Sequence, residues 1–222
     1  MLKNFEALLV EIRSEITTLG KKVITANEMS LKAITQKEIK LFPKAKSELN
    51  NVQHCSDKID NMILKALALY QPEAKDLRAM VSYLKITNEI VRAGSNTKNF
   101  IKNFSKALHY EVDFEHILEY SIPLQKASIE AITIAIDIVQ MDETALIEKS
   151  FQKVLVEESK TDDLYAMIEK NLLEQLSNKI ELSKEYLDIL SSLRRLEKVA
   201  DRAASIANLL VFAALGGELH QA

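Results

Sequence analysis

The stretch Ser192-Leu-Arg-Arg-Leu-Glu-Lys-Val-Ala-Asp-Arg-Ala-Ala-Ser-Ile-Ala-Asn208 decides the fold. Along it, apolar side chains recur every three or four residues, which is the spacing of one face of an α-helix. This face consists of Leu196, Val199, Ala203, Ile206 and, one turn further on, Leu210. The acids Glu197 and Asp201 lie one turn apart beside the face. The pattern therefore predicts a helix with a buried stripe and a carboxylate pair at the edge of that stripe.

The carboxylate pair needs a cation nearby. Two acids at positions i and i+4 of a helix repel each other by about 0.2–0.5 kcal/mol. A metal ion could offset this repulsion, and so could the neighbouring side chains of Arg194 or Lys198. The spacing alone leaves these alternatives open.

The composition favours an all-α protein. The 222 residues include only four glycines, three prolines and no tryptophan, which leaves little material for hairpins or aromatic-rich sheets. Acids and bases alternate along the chain, with a formal net charge of −3, which argues against nucleic-acid binding. The single cysteine, Cys55, excludes an internal disulfide and a Cys-based zinc site. Since neither a signal peptide nor a membrane-spanning segment is recognisable, we expect a cytoplasmic protein without membrane insertion.

Six long helices are predicted along the chain. Prolines at helix starts, polar turns and the Gly216-Gly217 pair mark their ends. Within the fourth helix, Pro123 predicts a kink or a late start. Asp142 is predicted to cap the fifth helix. The predicted helices span about 2–34, 43–69, 72–108, 114–140, 143–173 and 176–215.

The two halves of the chain resemble each other. Residues 57–63 are similar to residues 159–165, and residues 91–101 are similar to residues 197–207. An internal repeat of three helices predicts two tandem three-helix bundles with antiparallel helices. We place the first unit at residues 1–109 and the second at residues 110–222.

A second carboxylate pair precedes the first. Glu158 and Asp162 are also separated by four residues, on the predicted fifth helix. If the fifth and sixth helices are antiparallel neighbours, the two pairs face each other and supply four carboxylates to one surface. Such oxygen ligands suit Mg, Mn, Ca or Fe, and Zn is conceivable. The alternative is a solvated acidic flank without a metal.

Three motifs resemble those of the PhoU family, bacterial regulators of phosphate uptake. Residues 71–78, Gln-Pro-Glu-Ala-Lys-Asp-Leu-Arg, look like the family's Q-P-x-A-x-D-L-R. Residues 85–94 are similar to K-I-x-N-D-L-E-R-I-G, and residues 196–207 are similar to L-E-R-I-G-D-H-A-x-N-I-A. The motifs lie in corresponding helices of both halves, so the resemblance spans nearly the whole chain.

The resemblance implies metal binding in the second half. Proteins of this family carry E/D-x-x-x-D motifs that hold multinuclear clusters, with iron or zinc ahead of magnesium or manganese. Glu158, Asp162, Glu197 and Asp201 match these motifs in full.

The first half departs from the family pattern. Val91 stands where the family has Glu, Ser95 where it has Asp, and Ser56 where an acid opens the earlier motif. Asp60 remains, and Glu89 lies nearby but on another helix face. We therefore predict one metal site in the second half and a lost or much weakened site in the first.

The function implied by the resemblance is regulatory and non-enzymatic. Such a protein would be a cytoplasmic adaptor between the ATPase subunit of a phosphate transporter and a sensor histidine kinase, and it would form a homodimer. Because the motif of the first half is degraded, a diverged paralogue with another partner remains open.

An alternative from another class is a carboxylate-bridged metalloenzyme. It would need open metal positions and an ordered shell of supporting residues. None of the four histidines follows a glutamate at the three-residue spacing typical of di-iron oxidases; they are His54, His109, His116 and His220. A purely structural bundle that binds no metal is the third interpretation.

Overall fold

Six long α-helices and one short α-helix make up the fold in the computed structural model, which describes residues 2–178 and 180–217. A single 3₁₀ turn at Ile180–Leu182 joins the last two helices. The described residues contain no β-strand. The end of the predicted second unit, residues 218–222, lies outside the described residues, as does His220 within it. The helices are α1 Leu2–Thr35, α2 Leu41–Glu48, α3 Val52–Tyr70, α4 Ala74–Ala107, α5 Phe114–Ile138, α6 Thr144–Asn178 and α7 Ser183–Leu215.

The helices form two three-helix bundles that pack against each other. The first bundle contains α1, α4 and the α2–α3 pair, and the second contains α5, α6 and α7. Between the bundles, α4 packs along α7 and α1 packs along α5. The predicted all-α architecture of two tandem bundles is confirmed.

Side-chain contacts fix the helix directions. Asn27 of α1 donates a hydrogen bond to Thr97 of α4 at 2.8 Å, and Val23 lies beside Gly94, so these two helices run in parallel. Gln125 of α5 donates to Ser30 of α1 at 2.7 Å. Since Gly20 of α1 contacts Ile136 of α5 further along, α1 and α5 are antiparallel.

The core lies along the predicted stripe of α7. Four of its five residues are fully buried and Leu210 is nearly so, which confirms the apolar face. On α4, Phe100 and Phe104 are buried with their ring centroids 5.2 Å apart. Burial of each such apolar side chain contributes about 1.5–3 kcal/mol to stability.

One predicted helix is divided in two. The continuous helix expected at about 43–69 is interrupted between α2 and α3, where Asn51 adopts a left-handed conformation with φ 64°. The Asn50-Asn51 pair is the signal for this break, since asparagine tolerates that conformation better than most residues. The turn lets Leu49 and Val52 pack beside Gly94.

Of the two outcomes predicted for Pro123, a kink or a late start, the late start does not occur. Asp113 caps α5 by accepting a hydrogen bond from Glu115 N at 3.1 Å, so the helix begins at Phe114, as predicted, and contains Pro123.

Two other boundary predictions are wrong. Asp142 does not cap α6, which begins at Thr144; it accepts a hydrogen bond from Arg13 at 2.6 Å instead. Finally, α6 extends to Asn178 and α7 begins only at Ser183.

Candidate metal centre

The hairpin of α6 and α7 brings the two carboxylate pairs together. Arg194 of α7 lies over the ring of Tyr165 of α6 at 5.1 Å, about three turns or more from the connecting turn. Further along the antiparallel helices the acids follow at one-turn intervals. Glu158, Asp162 and Asp201 each offer a carboxylate oxygen within 4.8 Å of the others. We call these three residues the carboxylate cluster.

Glu197 lies beside the carboxylate cluster but outside it. The residue is 8% exposed and accepts a hydrogen bond from Lys198 at 3.3 Å. Arg194 lies 3.7 Å from its other oxygen, so both cations that the sequence offered, Arg194 and Lys198, contact this acid. That oxygen, Oε2, is buried and has no hydrogen-bond partner among the described residues.

Lys198 is the cation that contacts both acids of α7. Its ammonium group donates to Asp201 at 2.6 Å and to Glu197 at 3.3 Å. The hydrogen bond to Asp201 is the main cause that raises the pKa of Lys198 above its ordinary value. The lysine therefore stays charged at neutral pH and partly offsets the repulsion that the sequence predicted.

The surroundings of the carboxylate cluster favour the protonated form of Glu158 and Asp162. Burial, followed by the charges of Asp162 and Asp201, raises the pKa of Glu158. Burial and the charge of Asp201 raise the pKa of Asp162. Both groups therefore hold a proton more readily in the folded chain than in the unfolded chain.

These raised pKa values make the metal-free fold less stable as the pH rises. In the window just above their ordinary pKa values, the folded state binds more protons than the unfolded state. The free energy of unfolding consequently falls as the pH increases through this window.

A Glu158→Gln/Asp162→Asn variant is expected to unfold about 1–2 °C higher than the wild type at pH 7 in chelator. Thermal unfolding at pH 4 and pH 7 measures this, and an equal or lower midpoint at pH 7 contradicts it.

The donor set fits a hard cation. Three carboxylate oxygens converge. The buried Oε2 of Glu197 faces Arg194 at 3.7 Å, so Glu197 adds negative charge near Glu158 without joining the converging set. Oxygen ligands of this kind suit Fe, Mn, Mg or Ca, whereas zinc sites more often contain nitrogen or sulfur ligands. A cation held by the cluster would compete with the ammonium group of Lys198 for Asp201.

The first half lacks an equivalent group of acids. Asp60 accepts a hydrogen bond from the hydroxyl of Thr87 at 2.7 Å, and burial raises its pKa. Ser56 is buried. Within residues 2–178 and 180–217, no second set of three acid, histidine or cysteine side chains converges as the carboxylate cluster does.

Arg202 of α7 forms an ion pair between the bundles that the sequence pattern did not predict. It extends from α7 to Glu89 of α4 at 3.0 Å and approaches Asp201 at 3.8 Å. Glu89 also accepts from Arg92 at 3.1 Å. An arginine directly after Asp201 was the available signal, but its partner depends on how the two bundles pack. Glu89 is thus neutralised by arginines and does not restore the degraded motif.

The three histidines that the structure describes take no part in the carboxylate cluster. His54 lies on α3, His109 follows α4 and His116 lies on α5. His116 approaches Glu119 of its own helix at 3.7 Å.

None of the described helices combines the length and the apolar character that a membrane span requires.

The PhoU domain family model matches the chain twice, at residues 16–104 and 126–210. A phosphate-specific transport system accessory protein PhoU homolog of Aquifex aeolicus is 22% identical over 165 residues, covering 74% of this chain and 72% of that protein. The homolog of Pseudomonas aeruginosa is 20% identical over 228 residues, covering 98% of this chain and 88% of that protein.

Two solved structures share the fold. The crystal structure of PhoU from Pseudomonas aeruginosa matches with a TM-score of 0.83 and 19% identity, covering 96% of this chain and 100% of the other. The phosphate transport system regulatory protein PhoU from Streptococcus pneumoniae matches with a TM-score of 0.80 and 19% identity, covering 98% and 100%. Each bundle of the structure contains one of the two matched segments.

Proposed function

Because the chain belongs to the PhoU family, we propose that it is a cytoplasmic regulator of phosphate uptake that acts by contact with other proteins rather than by catalysis. The observation that carries this proposal is the match of the family model to both bundles. Relatives that cover most of the chain are named as accessory proteins of phosphate-specific transport systems.

The exposed helices of the two bundles suit a role in docking. α3 and α6 flank the paired bundles, so each presents a long surface to solvent while its other side packs on the core. We propose the ATPase subunit of a phosphate transporter and a sensor histidine kinase as partners, and a homodimer as the working form. These partners follow from the family and not from a contact in this chain.

The carboxylate cluster suits binding at a surface. Asp162 is exposed, while Glu158 and Asp201 are half-buried, so the cluster is open to solvent on the outside of the α6–α7 pair. Glu158, Asp162 and Asp201 would hold a divalent cation or a small cluster of cations, with Glu197 next to them. Bound cations would neutralise this surface and permit an acidic partner to approach it.

Phosphate uptake tests the proposed role. In the source organism, deletion of the gene is expected to increase phosphate uptake severalfold after a shift to phosphate-rich medium, because the restraint on the transporter is lost. The wild-type gene should restore the restraint. Uptake that stays the same after deletion would contradict the regulatory role. An Asp162→Asn/Asp201→Asn gene tests separately whether regulation needs the carboxylate cluster.

A further inference from the structure

Positive charge is concentrated in two segments of this acidic chain. Residues 29–50 contain five lysines and two glutamates, and residues 90–110 contain four basic side chains and no acid. Together these segments carry a formal charge of +7, whereas the whole chain carries −3. The alternation of acids and bases seen elsewhere is therefore interrupted at these two places.

The fold brings the two segments to one end of the first bundle. The parallel helices α1 and α4 end at the same end of the bundle, as the contact of Asn27 with Thr97 shows. α2 packs against both helices there, and Leu49 lies beside Gly94 where it leads into α3. We call the exposed lysines of this region the basic end: Lys32, Lys37, Lys40, Lys44, Lys46, Lys98, Lys102 and Lys106.

The lysines of the basic end form no ion pair with an acid in the part of the chain that the structure describes. Among the residues that the structure describes, no carboxylate lies within ion-pair distance of any of these ammonium groups. Lysines in the last turn of a helix stabilise it through the helix dipole, and this explains Lys32, Lys46 and Lys106. Helix stability does not explain the other five.

An exposed aliphatic side chain lies within the basic end. Ile39 is 49% exposed in the turn between α1 and α2, close to Lys37 and Lys40 in the chain. The rings of Phe42, Phe100 and Phe104 are at most 2% exposed. The ring of Tyr110 is half-buried, and its hydroxyl donates a hydrogen bond to Asp188 at 2.9 Å, so the region lacks a row of exposed rings on which bases could stack. Lysines around an aliphatic tip are typical of a surface that touches anionic lipid.

We infer that the basic end docks on a membrane surface that contains anionic phospholipids. The lysines lie against the lipid headgroups and Ile39 enters the boundary between headgroups and acyl chains. The remainder of the molecule is strongly acidic and is repelled by the same surface, so the charges also orient the protein. This inference rests on the charges of the first bundle and does not depend on the proposed regulatory function.

Vesicle flotation with the full chain tests the inference. The protein is expected to float with vesicles of phosphatidylcholine that contain about one-third phosphatidylglycerol, and to stay in solution with phosphatidylcholine alone. Lys40→Glu/Lys44→Glu and Lys98→Glu/Lys102→Glu should each weaken binding by about tenfold or more, since each lysine near an anionic surface contributes substantially. Ile39→Ser should weaken binding by a smaller factor, and raised salt should release the protein.

A matched control distinguishes the basic end from overall charge. Lys149→Glu/Lys153→Glu changes the net charge equally on exposed positions of α6 and should leave binding within about twofold. Equal losses in all three double variants overturn the inference, as does equal binding to neutral vesicles. Binding to polyphosphate or DNA without binding to the anionic vesicles also overturns it. Circular dichroism checks that each variant is folded. If one of the two double variants of the basic end does not fold, the other still tests the inference.

Discussion

Protein purified without chelator and without a metal-affinity tag is expected to contain bound iron or zinc, and an Asp162→Asn/Asp201→Asn variant is expected to lose it. The variant keeps the shapes of both side chains but removes two of the three converging carboxylates. Loss of a residue that only supports a metal ligand typically reduces metal affinity by about tenfold or more. Loss of two direct ligands should therefore reduce it by more than about tenfold. Elemental analysis of both proteins measures the effect.

Two further variants make this result specific. Asp60→Asn in the first bundle should leave the metal content unchanged, because Asp60 is hydrogen-bonded to Thr87 and belongs to no converging set of three ligand side chains among the described residues. Lys198→Met should retain at least as much metal as the wild type, since it removes the ammonium group that competes for Asp201. Equal metal in the wild type and the double variant would disprove the site, and so would metal-free wild type.

Gly20→Ala is expected to destabilise the protein by up to about 2 kcal/mol, although alanine is the better helix former. A Cβ atom at Gly20 would lie 2.4–2.9 Å from three side-chain carbons of Ile136, which is closer than packed atoms tolerate. Both residues are buried where α1 crosses α5. Overpacking costs about 1–3 kcal/mol, and the gain in helix propensity returns only about 1 kcal/mol. Thermal or denaturant unfolding measures the difference.

Gly94 provides a control for this prediction. It also lies buried within a long helix, but a Cβ atom there would meet its nearest neighbour, Val23, at an ordinary 3.5 Å. Gly94→Ala should therefore stabilise the fold by up to about 1 kcal/mol. In an Ile136→Ala background, Gly20→Ala should change sign and become stabilising, because the clashing carbons are gone. A stabilising Gly20→Ala in the wild-type background would refute the steric argument.

Features that depend on one helix or one hairpin could be predicted from the sequence. The three-and-four spacing of the α7 stripe specifies which face is buried, and all five residues are buried in the fold. Glu158 and Asp162 meet Asp201 because a hairpin of antiparallel helices fixes their register. Glu197 was expected in the same group, but it turns toward Lys198 and Arg194 on its own helix.

Features that depend on packing between distant helices could not be predicted. Arg202 meets Glu89, and Arg13 meets Asp142, only because the two bundles pack as they do. The reason for a glycine at position 20 also depends on this packing. The sequence shows only a weak helix former there, whereas in the fold Ile136 of α5 lies too close for a Cβ atom. The basic end likewise results from two parallel helices whose lysines are far apart in the chain.

Ser192 of α7 donates to the carbonyl oxygen of Phe100 on α4 at 3.5 Å, and Arg202 further along α7 contacts Glu89 nearer the start of α4, so these two helices are antiparallel, as α1 and α5 are. This packing relates the two halves by an approximate two-fold rotation. Such a backbone offers any surface feature twice, once in each orientation. The side chains break this equivalence, because the carboxylate cluster belongs to one half and the basic end to the other. A partner that recognises the cluster therefore has one orientation in which to bind, and each chain accepts one copy of it instead of two.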